Sequence, residues 1–312
     1  MRGKHTPVTL GQGARFRFSG ASDVSYRRPM TDVDLKAWIG RTETVTDIAA
    51  PGPYQRLAAL LDHATPPWTE SEAPPLGHWL NFLPCAQQSE IGEDGHPRRG
   101  GFMPPVELPR RMWAGGRLSF AGPISLGAAM ERRSTMKDVT PKSGRTGEMV
   151  FVVVRHEVWA DGQLAVVEEQ DIVYREASPP GAAPTTAAPP PAEPRTAEWT
   201  RQVTPDPVLL FRFSALTYNS HRIHYDRDYA RDAEGYPGLV VHGPLIATLL
   251  LDHYLRRHPG ARVCGFSFRA QSPLFDIAPF ALNGLETPAG AELWACAPDG
   301  RVAMSATVEA AT

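Results

Sequence analysis

Seventeen residues near the middle of the chain, Ser178 to Pro194, read SPPGAAPTTAAPPPAEP, and seven of them are proline. Proline locks φ and lacks an N–H, so such a run enters neither a helix interior nor a sheet ladder. It predicts an extended, polyproline-like linker with no core of its own. The chain therefore reads as an N-terminal part, residues 1–177, and a C-terminal part, residues 195–312, on either side of the linker 178–194. A length of 312 residues agrees with two domains.

The C-terminal part parses in order. Arg195 to Arg212 reads as a loop and strand, and Phe213 to Tyr229 as a polar segment carrying His221 and His224. Gly235 to Pro244 is a glycine- and proline-marked turn. Leu245 to Arg257 reads as a helix whose leucines cover most of its circumference, which predicts burial rather than an amphipathic surface position. Arg256, Arg257 and then Pro259-Gly260 mark its end. Strand-like runs follow at 262–272, 280–286, 291–297 and 301–309, the last two joined by the hairpin signal Asp299-Gly300. The N-terminal part shows a weaker version. A helix is expected over 53–64, then a long proline-rich loop to Arg110. Strands are expected at 118–126 with 130–137, at 148–159 and at 164–174. Helix then sheet, twice, suggests a duplicated architecture; two unrelated α+β domains are the alternative.

Composition excludes several classes. The net charge is −2, without the basic excess of a nucleic-acid binder. Three cysteines, widely spaced and none in a C-x-x-C pattern, argue against a disulfide scaffold or zinc site and for a reducing, cytoplasmic compartment. No apolar run is long enough to span a membrane, and Met1 to Gly13 lacks the apolar stretch of a signal peptide.

The chemistry-bearing residues are concentrated between Asn219 and Gly243. Asn219, His221, His224 and Asp226 lie within eight residues, and histidine is the usual acid or base near neutral pH. His242-Gly243-Pro244 opens the buried helix. Its backbone N–H groups and positive dipole end suit a carbonyl oxygen that gains negative charge. Arg222, Arg227 and Arg231 are candidates for phosphate contacts. Alone, each of these residues is more often structural: a histidine capping a turn, an arginine solvated at the surface. A metal reading is weak, because His221 and His224 stand at i, i+3 rather than the i, i+4 of a helical zinc pair. The order of a polar cluster, a short gap and a glycine-led buried helix favours catalysis.

FSALTYNSHRIHYDRDYA and GYPGLVVHGPLIATLLLD resemble the MaoC-type (hydratase 2) hot-dog enzymes. Within them, the likeness is to the branch that includes mesaconyl-C4-CoA hydratase and the mitochondrial 3-hydroxyacyl-thioester dehydratase type 2. A weaker likeness extends through PPLGHWLNFLP and GGRLSF to Tyr174. The resemblance implies an α+β double hot-dog, two antiparallel sheets each wrapping a central helix, with a degenerate N-terminal half. It implies a hydro-lyase acting on an enoyl-CoA thioester, foremost mesaconyl-C4-CoA hydrated to a malyl-CoA-type product. A dehydratase of fatty-acid synthesis, a thioesterase and a non-catalytic acyl-CoA binding module are the alternatives.

The family motif runs acidic residue, any, Asn, Pro, aliphatic, His, any, Asp. Aligned on Ile223-His224-Tyr225-Asp226, its histidine falls on His224, its aspartate on Asn219 and its asparagine on His221. An amide cannot take a proton as a carboxylate does. The expected catalytic set is His224 as base, Asn219 holding the water, and Asp226 as a possible replacement carboxylate. The expected substrate-binding set is His221, Arg222, His242 and Gly243, with Arg222 or Arg117 as partner for a distal carboxylate. Metal and redox cofactors are not expected. An acyl-CoA substrate and a homodimer or higher homo-oligomer are.

Overall fold

The computed structural model describes residues 34–144, 147–176 and 196–311. The proline-rich linker 178–194 and the N-terminal residues 1–33, including the segment tested for a signal peptide, lie outside them.

Among the described residues ten strands form one antiparallel sheet. In the N-terminal part these are β1 (Thr42–Ile48), β2 (Arg110–Phe120), β3 (Ala129–Gly144), β4 (Gly147–Ala160) and β5 (Gln163–Arg175). In the C-terminal part they are β6 (Trp199–Val203), β7 (Val263–Ala270), β8 (Phe280–Thr287), β9 (Gly290–Cys296) and β10 (Val302–Ala310). The spatial order is β1-β3-β4-β5-β2-β7-β10-β9-β8-β6. Read from either end, the pattern is the same, with β1 answering β6 and β2 answering β7. The two halves meet where β2 pairs with β7, from Gly115 opposite Arg269 to Ser119 opposite Gly265. The strands form where side chains alternate. In β4, Val150, Val152, Val154 and Val158 face inward while their neighbours are half-exposed.

Among the described residues three α-helices accompany the sheet: α1 (Pro51–Leu60), α2 (Pro207–Leu216) and α3 (Gly243–Arg257). Every residue of α3 from Leu245 to Leu255 is buried, as its all-round apolar sequence requires. Leu245 and Leu250 have no exposed surface, and each such leucine contributes about 1.5–3 kcal/mol of burial. One charged residue lies in the middle of this apolar helix. Asp252, 2% exposed, meets His63 at 2.5 Å, Arg256 at 2.8 Å and Arg201 at 2.9 Å. The carboxylate is thus paired on all sides, as burial of a charge demands, and through His63 it ties α3 to the N-terminal part.

Two expectations need correction. The segment 195–212 is not simply loop and strand, since β6 is followed by α2. Asp206 accepts a hydrogen bond from the Leu209 N–H at 2.7 Å and Pro207 takes the first helical turn, a cap and a proline that signal a helix start. The N-terminal helix also has a different place in the duplication. In chain order α1 corresponds to α2, and where the C-terminal half has α3, residues 61–109 carry only the short 3-10 turns Gly77–Leu80 and Gln88–Glu90. Among the described residues the central helix is present in one half alone, which is the degeneracy expected of the other. No described helix is long and apolar enough to cross a membrane.

Candidate active site

A cavity lies near the seam between the halves, lined by residues of both. It has a volume of about 410 Å³ and opens between β2 and β5 on one side and the start of α3 on the other, and Asn219, His221, His224 and Gly243 all line it.

Local chain geometry brings these residues in. After α2 the backbone turns sharply at Tyr218, φ +49°, a left-handed conformation uncommon for a residue with a Cβ. Asn219 follows, and its Oδ1 accepts the His221 N–H at 3.0 Å. Its side-chain NH2 remains available to the cavity. The 3-10 turn Arg222–His224 then buries His224 to 7% exposure. The His224 Nδ1–H donates to the Val240 carbonyl at 2.7 Å, which fixes the tautomer and leaves Nε2 as a lone-pair acceptor. Burial pushes the His224 pKa down from 6.5 to about 4, so the ring is neutral at pH 7 and able to accept a proton.

His242 lies behind this ring. It is fully buried and stacks on His224 with centroids 3.6 Å apart. Its Nε2 shares a hydrogen bond with the Ser214 hydroxyl of α2 at 2.8 Å, and burial drives its pKa well below the ordinary value. It does not line the cavity. Its position makes it a support for His224 rather than the substrate contact expected from the sequence. Its backbone holds ψ 133°, extended, immediately before α3. Gly243, the first helical residue, has its N–H ahead of the intrahelical ladder, where such donors have no helical partner.

The structure does not bring Asp226 or Arg222 to the cavity. They bind each other, Arg222 Nη2 to Asp226 Oδ2 at 2.8 Å, and Asp226 Oδ1 also accepts the Tyr229 N–H at 3.0 Å. Arg117 is likewise committed, to Asp171 at 2.6 Å and Glu169 at 3.2 Å.

The sequence reading missed the wall supplied by the N-terminal half. His96 lines the cavity and sits 4.1 Å, centroid to centroid, from His221. Asp94 accepts from both the His96 ring, 3.2 Å, and the His96 N–H, 2.9 Å. Burial works against the Asp94 charge, but these bonds outweigh it and hold its pKa below the usual carboxylate range. Burial lowers the pKa of His96, and pushes that of His221 to about 2, helped by the neighbouring His96 and His224. The loop is clamped to the histidine segment. The Arg222 N–H donates to the Asp94 carbonyl at 2.9 Å, and the Ser220 hydroxyl to the Gly95 carbonyl at 2.6 Å. Gly95 is at φ +89°, and a Cβ there would lie 1.9 Å from the Ser220 carbonyl oxygen, so only glycine fits. Asp94, His96 and His221 each offer a ligand atom within 4.8 Å of the others and form the group that could hold a divalent ion.

A second cavity of about 460 Å³ lies between residues 68–78 and the start of β7. Its histidine, His78, already binds Glu168 at 2.9 Å, so it presents no free base beside a helix start.

The chain resembles known proteins over nearly its whole length. It is 50% identical over 281 residues, 90% of this chain and 99% of the relative, to the mesaconyl-C(4)-CoA hydratase of Chloroflexus aurantiacus. A MaoC-like dehydratase from Phytophthora capsici superposes with a TM-score of 0.65 at 12% identity, over 90% of this chain and 98% of that one. A conserved hypothetical protein from Mycobacterium tuberculosis with a double hot-dog fold gives a TM-score of 0.50 at 13% identity, over 87% and 96%. The fold is therefore the double hot-dog. The pattern of the family described as hydroxyacyl-thioester dehydratase type 2 matches residues 76–276, spanning both the N-terminal wall and the histidine segment, and the chain belongs to that family.

Proposed function

We propose that this protein is a hydro-lyase that adds water across the conjugated double bond of an enoyl-CoA thioester, with mesaconyl-C4-CoA, the substrate named for its 50% identical relative, as the favoured substrate. One observation carries the reading: the free Nε2 of a neutral, buried His224 and the N-terminus of α3 at Gly243 share one cavity.

The thioester carbonyl polarises its double bond. With that oxygen on the Gly243 N–H, a water held between His224 Nε2 and the Asn219 amide attacks the β-carbon. His224 takes the proton, the C=C electrons move to the thioester oxygen, and an enolate forms. The imidazolium then returns a proton to the α-carbon, so one water has added and the base is restored. A helix-start donor of this kind contributes on the order of 3 kcal/mol, and the base roughly 100- to 10,000-fold in rate. In reverse the same groups remove water from a 3-hydroxyacyl thioester. The mechanism needs no redox cofactor and no metal ion, because the enolate is stabilised by the backbone.

Incubation with mesaconyl-C4-CoA and crotonyl-CoA tests the reading. Loss of the enoyl absorbance is the expected result. Release of free thiol would indicate thioester hydrolysis, and neither signal would reduce the protein to a binding module. A homodimer or higher oligomer is part of the proposal. Val208 and Phe211 on the outer face of α2 are more than 60% exposed, an apolar surface suited to self-association, and light scattering measures it. The proposed compartment is the cytoplasm.

A further inference from the structure

The guanidinium groups of two cavity-lining arginines, Arg111 and Arg175, make no hydrogen bond, ion pair or ring contact with any described residue, although their backbones pair within the sheet. This sets them apart from the neighbouring cations. Arg110 reaches Glu234 at 3.3 Å. Arg99 donates to the carbonyls of Val106, Leu108 and Pro109. Arg117 and Arg222 have their own carboxylates, as described above. A half-buried guanidinium with five donors and no acceptor implies an anion that arrives from solution.

Arg111 lies at the reacting end. It lines the same cavity wall as His96 and His221, and His221 packs edge-on against His224 at 5.3 Å. Arg111 also precedes, by two residues on β2, Trp113, whose carbonyl oxygen is the nearest neighbour of a Cβ built on Gly243, at 3.8 Å. The guanidinium therefore shares the cavity with the base and the helix start. The phosphates of a coenzyme A thioester are many bonds from the reacting carbons, at the far end of the pantetheine arm. An anion beside the histidines is instead one carried by the acyl group.

We propose that Arg111 binds a carboxylate on the acyl chain and so selects dicarboxylic over monocarboxylic enoyl thioesters. This rests on the enoyl-thioester reading above and names the residue that sets its substrate class. Arg111 replaces Arg117 and Arg222, which the sequence had offered for the task.

The test is a ratio. The kcat/KM for mesaconyl-C4-CoA divided by that for crotonyl-CoA is measured for the wild type, Arg111→Gln and Arg111→Lys. A hydrogen-bonded charge pair corresponds to roughly 10- to 100-fold, so Arg111→Gln lowers the ratio by that factor. Arg111→Lys, which keeps the charge but loses the fork, lowers it less. A ratio unchanged within twofold overturns the proposal, and an equal fall on both substrates would assign Arg111 to the coenzyme phosphates. A wild type that turns over neither substrate would remove the enoyl-thioester reading itself. Wild-type binding gives a check that needs no variant. Succinyl-CoA and butyryl-CoA differ at the chain end by carboxylate against methyl, and calorimetry should show the former bound at least 10-fold tighter; equal affinities would also overturn the assignment.

Discussion

Replacing His224 by alanine is the sharpest perturbation of the proposed chemistry. Its Nδ1–H is held by the Val240 carbonyl and its other face is covered by His242, which leaves Nε2 as the one proton acceptor it can offer. Removing a general base costs about 100- to 10,000-fold in kcat, or about 3–5 kcal/mol of transition-state stabilisation. Folding is affected separately. The Val240 carbonyl loses its donor, about 1–3 kcal/mol, so the melting temperature of the variant must be shown to exceed the assay temperature. The assay is the decay of enoyl absorbance, alongside calorimetric binding of a saturated thioester, which changes little because the helix start is intact. Turnover within tenfold of wild type in a folded variant would refute the assignment. The pH profile checks the same argument from the unmutated side. With a folded-state pKa of about 4, kcat/KM stays level through pH 6 and falls only toward pH 4. A midpoint near 6.5 would mean that the base is not this buried ring.

Gly243→Pro deletes the proposed carbonyl donor; His242 already holds the extended conformation that a following proline requires, while a second proline placed directly before Pro244 strains the first helical residue, so the variant's fold is checked by its melting temperature. In the folded variant it should cost about 100- to 1,000-fold in kcat, and unimpaired turnover would exclude the helix-start N–H. Gly95→Ala places a Cβ against the Ser220 carbonyl, so it should pry the 88–98 loop from the histidine segment and reduce both activity and melting temperature; a variant that matches wild type in both would show that the clamp is unimportant. Asp252→Ala leaves Arg201, Arg256 and His63 facing an apolar helix and should destabilise by about 3–5 kcal/mol in urea titration, while kcat of the folded fraction changes little. The buried neutral histidines make the fold acid-sensitive. For His224 the unfolded chain binds a proton below about pH 6.5 and the folded chain only near 4. Stability present at pH 7 is therefore lost as pH falls across that window, by about 3 kcal/mol from this ring alone, and urea midpoints that coincide at pH 7 and pH 5 would contradict it.

What the sequence revealed of this protein was local. His224, Asn219 and Gly243 fall within one stretch of 25 residues, and the roles proposed for them follow from a turn, a tautomer and a helix start that the same stretch builds. His96 and Arg111 reach the cavity by another route. One sits in a proline-rich loop clamped at Gly95 to Ser220 and the other on β2, which pairs with β7 some 150 residues away in the chain. No short-range periodicity encodes that seam. The error over Arg222 and Asp226 had a readable signal. They stand four residues apart, a spacing at which opposite charges on helix-like turns find each other, and, paired in this way, neither lines the cavity. The helix α2 was also legible, since Asp206-Pro207 is a helix-start pair, but the short apolar run Val208 to Phe211 that follows read equally well as strand.

The mirrored strand order with only one long helix has a consequence for how such a protein changes. In a symmetric pair of identical hot-dogs each altered codon would strike proton-transfer group and acyl-facing surface at two places together. Here the proposed acid–base apparatus lies in the half that carries α3, and β2 and β5 of the other half supply a facing wall. New acyl preferences can then arise on β2 and β5 while the histidine stack stays untouched, and inherited differences in substrate range among such chains should map to the half that has lost its helix.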